Sequence, residues 1–125
     1  MFFMILIDTN MLLVPGQFNV DIIKQAKKTD KNLAVLESTI EELKIISNSG
    51  KKDAGSAKVG LELIKKNNIE ILKQKTGNSV DEKVLNCAKE NNYKVATNDK
   101  ELISKLKENN IKVIRLRQKK YLVED

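Results

Sequence analysis

The sequence predicts one α/β domain in which helices cover both faces of a mostly parallel β-sheet. A chain of 125 residues fits a single domain. Short apolar runs alternate with longer segments of helical periodicity, which is typical of folds built on parallel strands. No internal repeat, low-complexity tract or linker divides the chain. We therefore expect a three-layer α/β/α domain over residues 1–125, with the element order βαβααβαβαβ.

The first third of the chain is expected to hold two buried strands. The apolar run Phe3–Ile7 predicts the first strand, and Leu33–Leu36 predicts the second. Pro15 and Gly16 predict a break in regular structure between them, because these two residue types commonly interrupt helices and strands. A helix is expected after the break, near Val20–Lys28.

Two later helices are predicted by the same N-terminal sequence pattern. In an S/T-x-x-E capping box, the hydroxyl and the carboxylate satisfy backbone N–H groups that the first helical turn leaves unpaired. The two matches are Ser38-Thr39-Ile40-Glu41 and Ser79-Val80-Asp81-Glu82, and the second helix is expected to end near Asn91.

The remaining elements follow from alternating apolar runs and helical periods. A polar connector, a helix and a short strand are expected between the two capping boxes, at Asn48–Lys52, Ala54–Lys66 and Ile69–Leu72. After the second box, a strand, a helix and the last clear strand are expected at Tyr93–Ala96, Lys100–Glu108 and Lys112–Leu116.

The composition excludes several kinds of catalytic site. The chain has no histidine, which removes His-based acid–base chemistry, Ser–His–Asp triads and His-containing zinc sites. The single cysteine, Cys87, allows no internal disulfide, which fits a reducing cytoplasmic location. A bound metal would need oxygen ligands, so we expect one or two ions of Mg²⁺ or Mn²⁺.

The charge favours a polyanionic partner such as nucleic acid. Lysine and arginine number 23 against 17 acidic residues, a formal net charge of +6, although a basic surface can also serve solubility alone. Aromatic residues make up 4% with no tryptophan, which argues against recognition by base stacking. The apolar run Met1–Ile7 is too short to span a bilayer, so no membrane association is expected.

Four acidic residues fall at positions where the predicted fold would bring them together. Asp8 ends the first strand and Asp99 follows the strand Tyr93–Ala96, so they would meet at the carboxyl edge of the sheet if those strands are neighbours. Asp81 and Glu42 lie in the first turns of helices that leave the same edge. Carboxylates that converge without a basic partner repel one another, and divalent cations relieve that repulsion.

Each of these residues also has a purely structural explanation. Asn98 or Asp99 can cap the helix that follows, and Asp81 suits the positive end of its own helix. Glu42 can be a surface charge, and Asp8 can form an Asx turn. Periodicity alone leaves a capping role and a metal site equally open.

The chain resembles the PIN-domain nucleases through four motifs in the right order. The segment Ile7-Asp8-Thr9-Asn10-Met11-Leu12-Leu13 is similar to their opening motif, and Ile40-Glu41-Glu42-Leu43 is similar to their second. The third and fourth are matched by Asp81-Glu82-Lys83-Val84-Leu85-Asn86-Cys87-Ala88 and by Val95-Ala96-Thr97-Asn98-Asp99-Lys100-Glu101-Leu102. The resemblance covers nearly the whole chain.

The resemblance implies a metal-binding and catalytic quartet with polar residues that support it. The quartet would be Asp8, Glu42, Asp81 and Asp99, and the supporting residues would be Thr9, Asn10, Thr97 and Asn98. Glu41 competes with Glu42, and Glu82 with Asp81, but the capping boxes give both competitors a structural task. Asp8 is expected to bridge the ions, Asp81 and Asp99 to bind them directly or through water, and Glu42 to bind an ion or orient its water.

The implied activity is metal-dependent endoribonuclease cleavage that leaves 5′-phosphate and 3′-hydroxyl ends. Both ends of the chain resemble archaeal PIN proteins related to rRNA-processing factors, which predicts a role in ribosome biogenesis on precursor rRNA. Two alternatives stay open: an idle PIN module that binds RNA or a processing complex, and a VapC-type toxin ribonuclease with an antitoxin partner. PIN-like domains often pair, so a homodimer is expected.

Two groups of basic residues are candidates for contacts with RNA. Such contacts to phosphate would give salt-dependent affinity with little sequence preference. The first group surrounds the start of the Ala54–Lys66 helix and the second lies near the C-terminus; they comprise Lys51, Lys52, Lys58, Arg115, Arg117, Lys119 and Lys120. For any single lysine, a solvated surface role is the simpler interpretation.

Overall fold

The computed structural model describes residues 4–125, which form six strands and six helices. The strands are β1 (Ile5–Ile7), β2 (Leu33–Leu36), β3 (Glu70–Leu72), β4 (Lys94–Ala96), β5 (Val113–Arg117) and β6 (Tyr121–Glu124). The helices are α1 (Thr9–Phe18), α2 (Ile22–Thr29), α3 (Glu37–Ser47), α4 (Ala54–Lys66), α5 (Val80–Asn91) and α6 (Lys100–Glu108). Phe3, placed in the first strand by the sequence, lies outside the described residues.

The six described strands form one sheet in the order β3-β2-β1-β4-β5-β6. The first four pairings are parallel, and β6 joins β5 in antiparallel orientation. From β1 the chain passes to β2 on one side, whereas β4 lies on the other side, so the strand order reverses between β1 and β4. Ile7 at the end of β1 pairs with Ala96 at the end of β4, which confirms that these strands are neighbours.

Side chains alternate along the strands and feed two separate cores. Ile5 and Ile7 pack under α1, α2, α3 and α4, whereas Leu6 packs on the opposite face under α5 and α6. All three are fully buried, as parallel strands covered on both faces must be. The three-layer architecture predicted from the alternation of strands and helices is confirmed.

The predicted break at Pro15 and Gly16 is wrong, because α1 continues through both residues to Phe18. The helix persists because the preceding run Met11–Val14 is buried against its neighbours. Gly16 permits close contact with α4, since a β-carbon there would lie 2.6 Å from Ser56 Cα. The helix ends at Asn19, whose left-handed backbone (φ 55°) lets its N–H bond to the Pro15 carbonyl.

The first predicted capping box is also wrong, whereas the second is confirmed in its main bond. Helix α3 begins at Glu37, directly after β2, and no side chain caps its N-terminus. At α5, the Ser79 hydroxyl accepts the Glu82 N–H at 3.1 Å, and the Glu82 carboxylate accepts the N–H of Asn78, one residue earlier than the motif implies.

Strand β6 was not expected from the sequence, because it is only four residues long and its two end residues, Tyr121 and Glu124, are exposed. Gln25 of α2 secures it by donating to the Lys120 carbonyl and accepting the Leu122 N–H. Among residues 4–125, the helices are all too short or too polar to cross a membrane.

Candidate active site

Asp8 is a buried carboxylate at the point where the strand order reverses. It directly follows β1, its backbone N–H donates to the Ala96 carbonyl of β4, and only 3% of its surface is exposed. Burial raises the pKa of its carboxyl to about 6, helped by the negative charges of Asp81 and Glu42 and opposed by hydrogen bonds from Thr97 and the Thr9 backbone. Perturbed acids in such positions are common at functional sites.

Thr97 connects Asp8 to the segment that follows β4. Its hydroxyl donates to Asp8 Oδ2 at 2.9 Å and accepts the Asp99 N–H at 3.2 Å. Asn10 Oδ1 accepts the Asn98 N–H at 3.1 Å, while Asn98 Oδ1 accepts the Leu116 N–H at 2.8 Å. These bonds hold β1, β4 and β5 together at this edge of the sheet, while a role of these residues in supporting metal ligands stays a prediction.

Thr9 is the fourth expected supporting residue, and its hydroxyl is in an unusual position. The residue is 6% exposed, and its Oγ1 atom is buried without a hydrogen-bond partner among the described residues. A buried hydroxyl without a partner loses the hydrogen bonds that water would give it. Since Thr9 directly follows Asp8, the unpaired oxygen lies next to the carboxylate in the chain.

The other three acids belong to the same electrostatic cluster. The pKa of Asp81 is raised by partial burial and then by the negative charges of Asp99 and Glu42, while Lys105 opposes the shift. Together with the effects on Asp8, these interactions link all four predicted acids. Asp99 also caps α6, because its Oδ1 accepts the Leu102 N–H at 3.1 Å. The capping explanation for Asp99 is therefore correct, and its negative charge still acts on Asp81.

Glu41 and Glu42 have different surroundings, although the capping box that was expected to distinguish them does not form. Glu42 acts on Asp8 and Asp81, whereas the exposed Glu41 lines a different cavity. Glu82 is occupied by its bond to Asn78, which leaves Asp81 as the acid directed toward the cluster. Glu42 and Asp81 as metal ligands stay a prediction, and α3 begins without the capping bond expected of Glu41.

The donor chemistry of the cluster suits a hard divalent cation. It offers four carboxylates, and no ion pair in the described part of the chain neutralises any of them. In the conformation seen, residues 4–125 contain no three acidic or cysteine side chains close enough to enclose one ion. The identity of these residues as metal ligands stays a prediction.

Sequence reasoning did not identify Lys105 as part of this region. Its positive charge lowers the pKa of Asp81, and its ammonium lies 3.6 Å from Glu101 on the preceding turn of α6. The i,i+4 spacing of Glu101 and Lys105 is a helix-pair signal that the sequence carries, but it gives no indication of the neighbouring α5.

The predicted RNA-binding residues differ in their exposure and in the contacts that they make. Lys51 and Lys52 are exposed in the turn before α4, and Lys58 is exposed on that helix. Arg115 is held by Asp125, with Nε 2.6 Å from the carboxylate, and Lys119 lies 5.3 Å from the Phe18 ring centre. The other two, Arg117 and Lys120, are exposed near the β5–β6 turn.

The comparisons with known proteins define the class to which this fold and site belong. The family model of the PIN-like domain matches residues 5–119, so the chain belongs to the PIN-like domain family. The chain is also 40% identical over 119 residues to a protein named "Ribonuclease VapC4" from Methanocaldococcus jannaschii, with 91% of this chain and 90% of that protein covered.

A solved structure of another Methanocaldococcus jannaschii protein has a similar fold. It is described as a domain of a functionally unknown protein from Methanocaldococcus jannaschii, and it superimposes with a TM-score of 0.64 over 91% of each chain. The sequences are 18% identical, so this likeness concerns the fold alone. The expected PIN-like fold is thus shown, whereas the named relative is a VapC ribonuclease and not an rRNA-processing protein.

Proposed function

We propose that this protein is a divalent-metal-dependent endoribonuclease of the VapC type. The single observation that carries the proposal is the buried Asp8 carboxylate, which interacts with further carboxylates at the edge where the sheet order reverses. In open α/β sheets this edge is the usual place for a ligand. Membership of the PIN-like family and the similarity to a VapC ribonuclease support nuclease chemistry.

Mg²⁺ or Mn²⁺ would be held by Asp8, Asp81, Asp99 and Glu42. When bound, such an ion stabilises negative charge on phosphate oxygens and increases the acidity of water. Because these carboxylates do not enclose an ion in the conformation seen, binding would require them to approach one another or to use bridging water.

The neighbouring polar residues would position the site rather than react. Hydrogen bonds from the Thr97 hydroxyl and the Thr9 backbone fix the orientation of the Asp8 carboxylate. The link between Asn10 and Asn98 keeps the ends of β1 and β4 together. Preorganisation of this kind matters because small displacements of catalytic groups reduce rates strongly.

The biological role favoured by the relatives differs from the first expectation. The relative's name supports the toxin-ribonuclease alternative with an antitoxin partner better than a role in pre-rRNA processing. Cytoplasmic RNA is the proposed substrate. Homodimer formation, association with a processing complex and an idle RNA-binding role remain predictions that activity and oligomer measurements distinguish.

Cleavage of RNA is the first prediction. Wild-type protein with Mn²⁺ is expected to cut single-stranded RNA internally, and gel electrophoresis of end-labelled RNA measures the products. EDTA should stop the reaction. Asp8→Asn should reduce the rate by more than the roughly 10–100-fold caused by losing a residue that only orients a metal ligand. A pre-rRNA fragment containing the small-subunit 3′ end is included as a second substrate.

Asp53→Asn is a matched control, because Asp53 accepts a bond from Gln17 and does not act on the pKa of the shifted acids. Full activity of Asp8→Asn in folded protein would contradict the proposed function. Preference for the pre-rRNA fragment over other RNA would restore the ribosomal role. An adjacent gene product that inhibits cleavage would support the toxin role.

A further inference from the structure

A cavity of about 430 Å³ opens between the start of α3, the start of α5 and the loop that follows β3. Three lysines line it, namely Lys73 and Lys75 from the loop and Lys83 from α5. Glu37 and Glu41, one turn apart on α3, line it as well. None of these three lysines was among the basic residues that the sequence analysis selected for RNA contact.

The three lysines are not neutralised by neighbours. Within residues 4–125, the ion pairs that form involve other basic residues, and Lys73, Lys75 and Lys83 take part in none. This holds although two glutamates line the same cavity. Three ammonium groups around one cavity with two carboxylates leave a net positive charge, which favours an anionic ligand.

The loop that carries two of the lysines is held firmly against α5. Asn86 donates to the Thr76 carbonyl at 2.9 Å, and Gln74 donates to Glu90 at 3.1 Å. Gly77 has a φ of +135°, and a β-carbon on it would lie 2.9 Å from the Lys83 backbone nitrogen. This close approach requires glycine, and it fixes the loop lysines and Lys83 relative to one another.

The cavity adjoins the acidic cluster through two helices. Glu41 lines the cavity, while the next residue of α3, Glu42, interacts with Asp8 and Asp81. On α5, Asp81 belongs to the cluster and Lys83 to the cavity. All these elements begin beyond the carboxyl edge of the sheet, so one extended strand can contact both places.

We propose that the cavity between α3, α5 and the 73–78 loop binds a backbone phosphate of the RNA strand, beside the phosphate that is cleaved. This inference rests on the proposed function for the identity of the strand. Lys73, Lys75 and Lys83 provide the attraction, and Glu37 and Glu41 weaken it. The cavity thereby directs the strand across the acidic cluster, where four negative charges would otherwise repel it.

The test measures equilibrium binding of a fluorescein-labelled single-stranded RNA by fluorescence anisotropy. Every protein carries Asp8→Asn and the buffer contains EDTA, so the RNA stays intact. The combined variant Lys73→Gln/Lys75→Gln/Lys83→Gln is expected to bind at least about tenfold more weakly. The slope of log affinity against log salt should fall by roughly 1.4 to 2, because each lost contact to a single strand accounts for about 0.7.

Lys27→Gln/Lys31→Gln/Lys66→Gln is the matched control, because it removes the same charge near the opposite edge of the sheet. Its effect on affinity should stay within about threefold. Glu37→Gln/Glu41→Gln is expected to tighten binding, whereas Glu70→Gln at the opposite edge should not. Circular dichroism of each variant verifies folding.

The proposal is overturned if the two lysine triples weaken binding equally, or if removing both glutamates weakens it. The second result would mean that the cavity binds donor groups of a base instead of a phosphate. Failure of the proposed function is distinguishable, because it appears as absent RNA cleavage by wild type in Mn²⁺ while lysine-dependent RNA binding by the Asp8→Asn protein persists.

Discussion

Asp8→Asn is expected to make the metal-free protein more stable while abolishing cleavage. The pKa of the buried Asp8 carboxyl is raised from 3.8 to about 6. At neutral pH the carboxyl is therefore ionised although its buried surroundings favour the neutral form. The difference corresponds to about 3 kcal/mol of unfolding free energy. In EDTA at pH 7.5, the variant should melt about 10 °C higher.

The pH dependence of stability has a definite sign. A carboxyl whose folded pKa lies above its unfolded value stabilises the fold fully below pH 3.8, and this contribution is lost as the pH rises through about 6. The unfolding free energy of wild type relative to Asp8→Asn should therefore fall between pH 4 and pH 6 and stay low above it. Urea denaturation at a series of pH values measures the difference.

Asp53→Asn again provides the control, since it should change the melting temperature little at any pH. If Asp8→Asn were less stable than wild type in EDTA at pH 7.5, the hydrogen bonds to the carboxylate would outweigh the cost of burying its charge, which would contradict the raised pKa. An unchanged difference between pH 4 and pH 7 would equally contradict the raised pKa of Asp8.

Gly60→Val is expected to destabilise the protein by about 3 kcal/mol. Gly60 is buried on α4 against α1, and a β-carbon there would lie 2.6 Å from the Leu12 carbonyl oxygen. Because the clash is with a backbone atom of α1, the added side chain fits only if α1 moves away from α4. Since α1 begins at Thr9, directly after Asp8, the displacement should also reduce cleavage. Thermal unfolding and the RNA assay measure the two effects.

Gly55→Val is the matched control on the same helix, because a β-carbon at Gly55 would meet no atom within 4 Å apart from its chain neighbours and its own helix backbone. Its unfolding free energy should stay close to that of wild type, since the helix propensities of glycine and valine differ by only a few tenths of a kcal/mol. Equal destabilisation by both substitutions would show that Gly60 is not required for the close contact between α1 and α4.

The alternation of apolar runs and helical periods predicted most of the fold, because strands buried on both faces have continuous apolar sequences. Leu33–Leu36 is such a case, and its four residues are all buried. Helix α1 was not predicted because Pro15 and Gly16 are unfavourable in a helix, and burial of the preceding residues against neighbouring elements compensates for them. Strand β6 was not predicted because the two hydrogen bonds that secure it come from the side-chain amide of Gln25, a residue distant in sequence.

The acidic cluster was predictable in outline because Asp8 and Asp99 follow strands, and the carboxyl ends of neighbouring parallel strands share one edge. Its finer features depend on distances between separate elements. The bond from Thr97 to Asp8 joins residues 89 positions apart, and the unpaired Thr9 hydroxyl depends on what surrounds it. The lysine cavity was missed because its three lysines are conspicuous only once the loop after β3 lies on α5.

Thermal unfolding in increasing Mn²⁺ shows whether acids distant in sequence bind a divalent cation together. Wild type should gain stability, by about 2.7 kcal/mol when the free ion is a hundredfold above its dissociation constant, whereas Asp8→Asn should gain almost none. The difference in melting temperature between the two proteins, which favours Asp8→Asn in EDTA, should therefore become smaller or change sign in Mn²⁺. Equal gains in both proteins, or no gain in wild type, would contradict a shared metal site at Asp8.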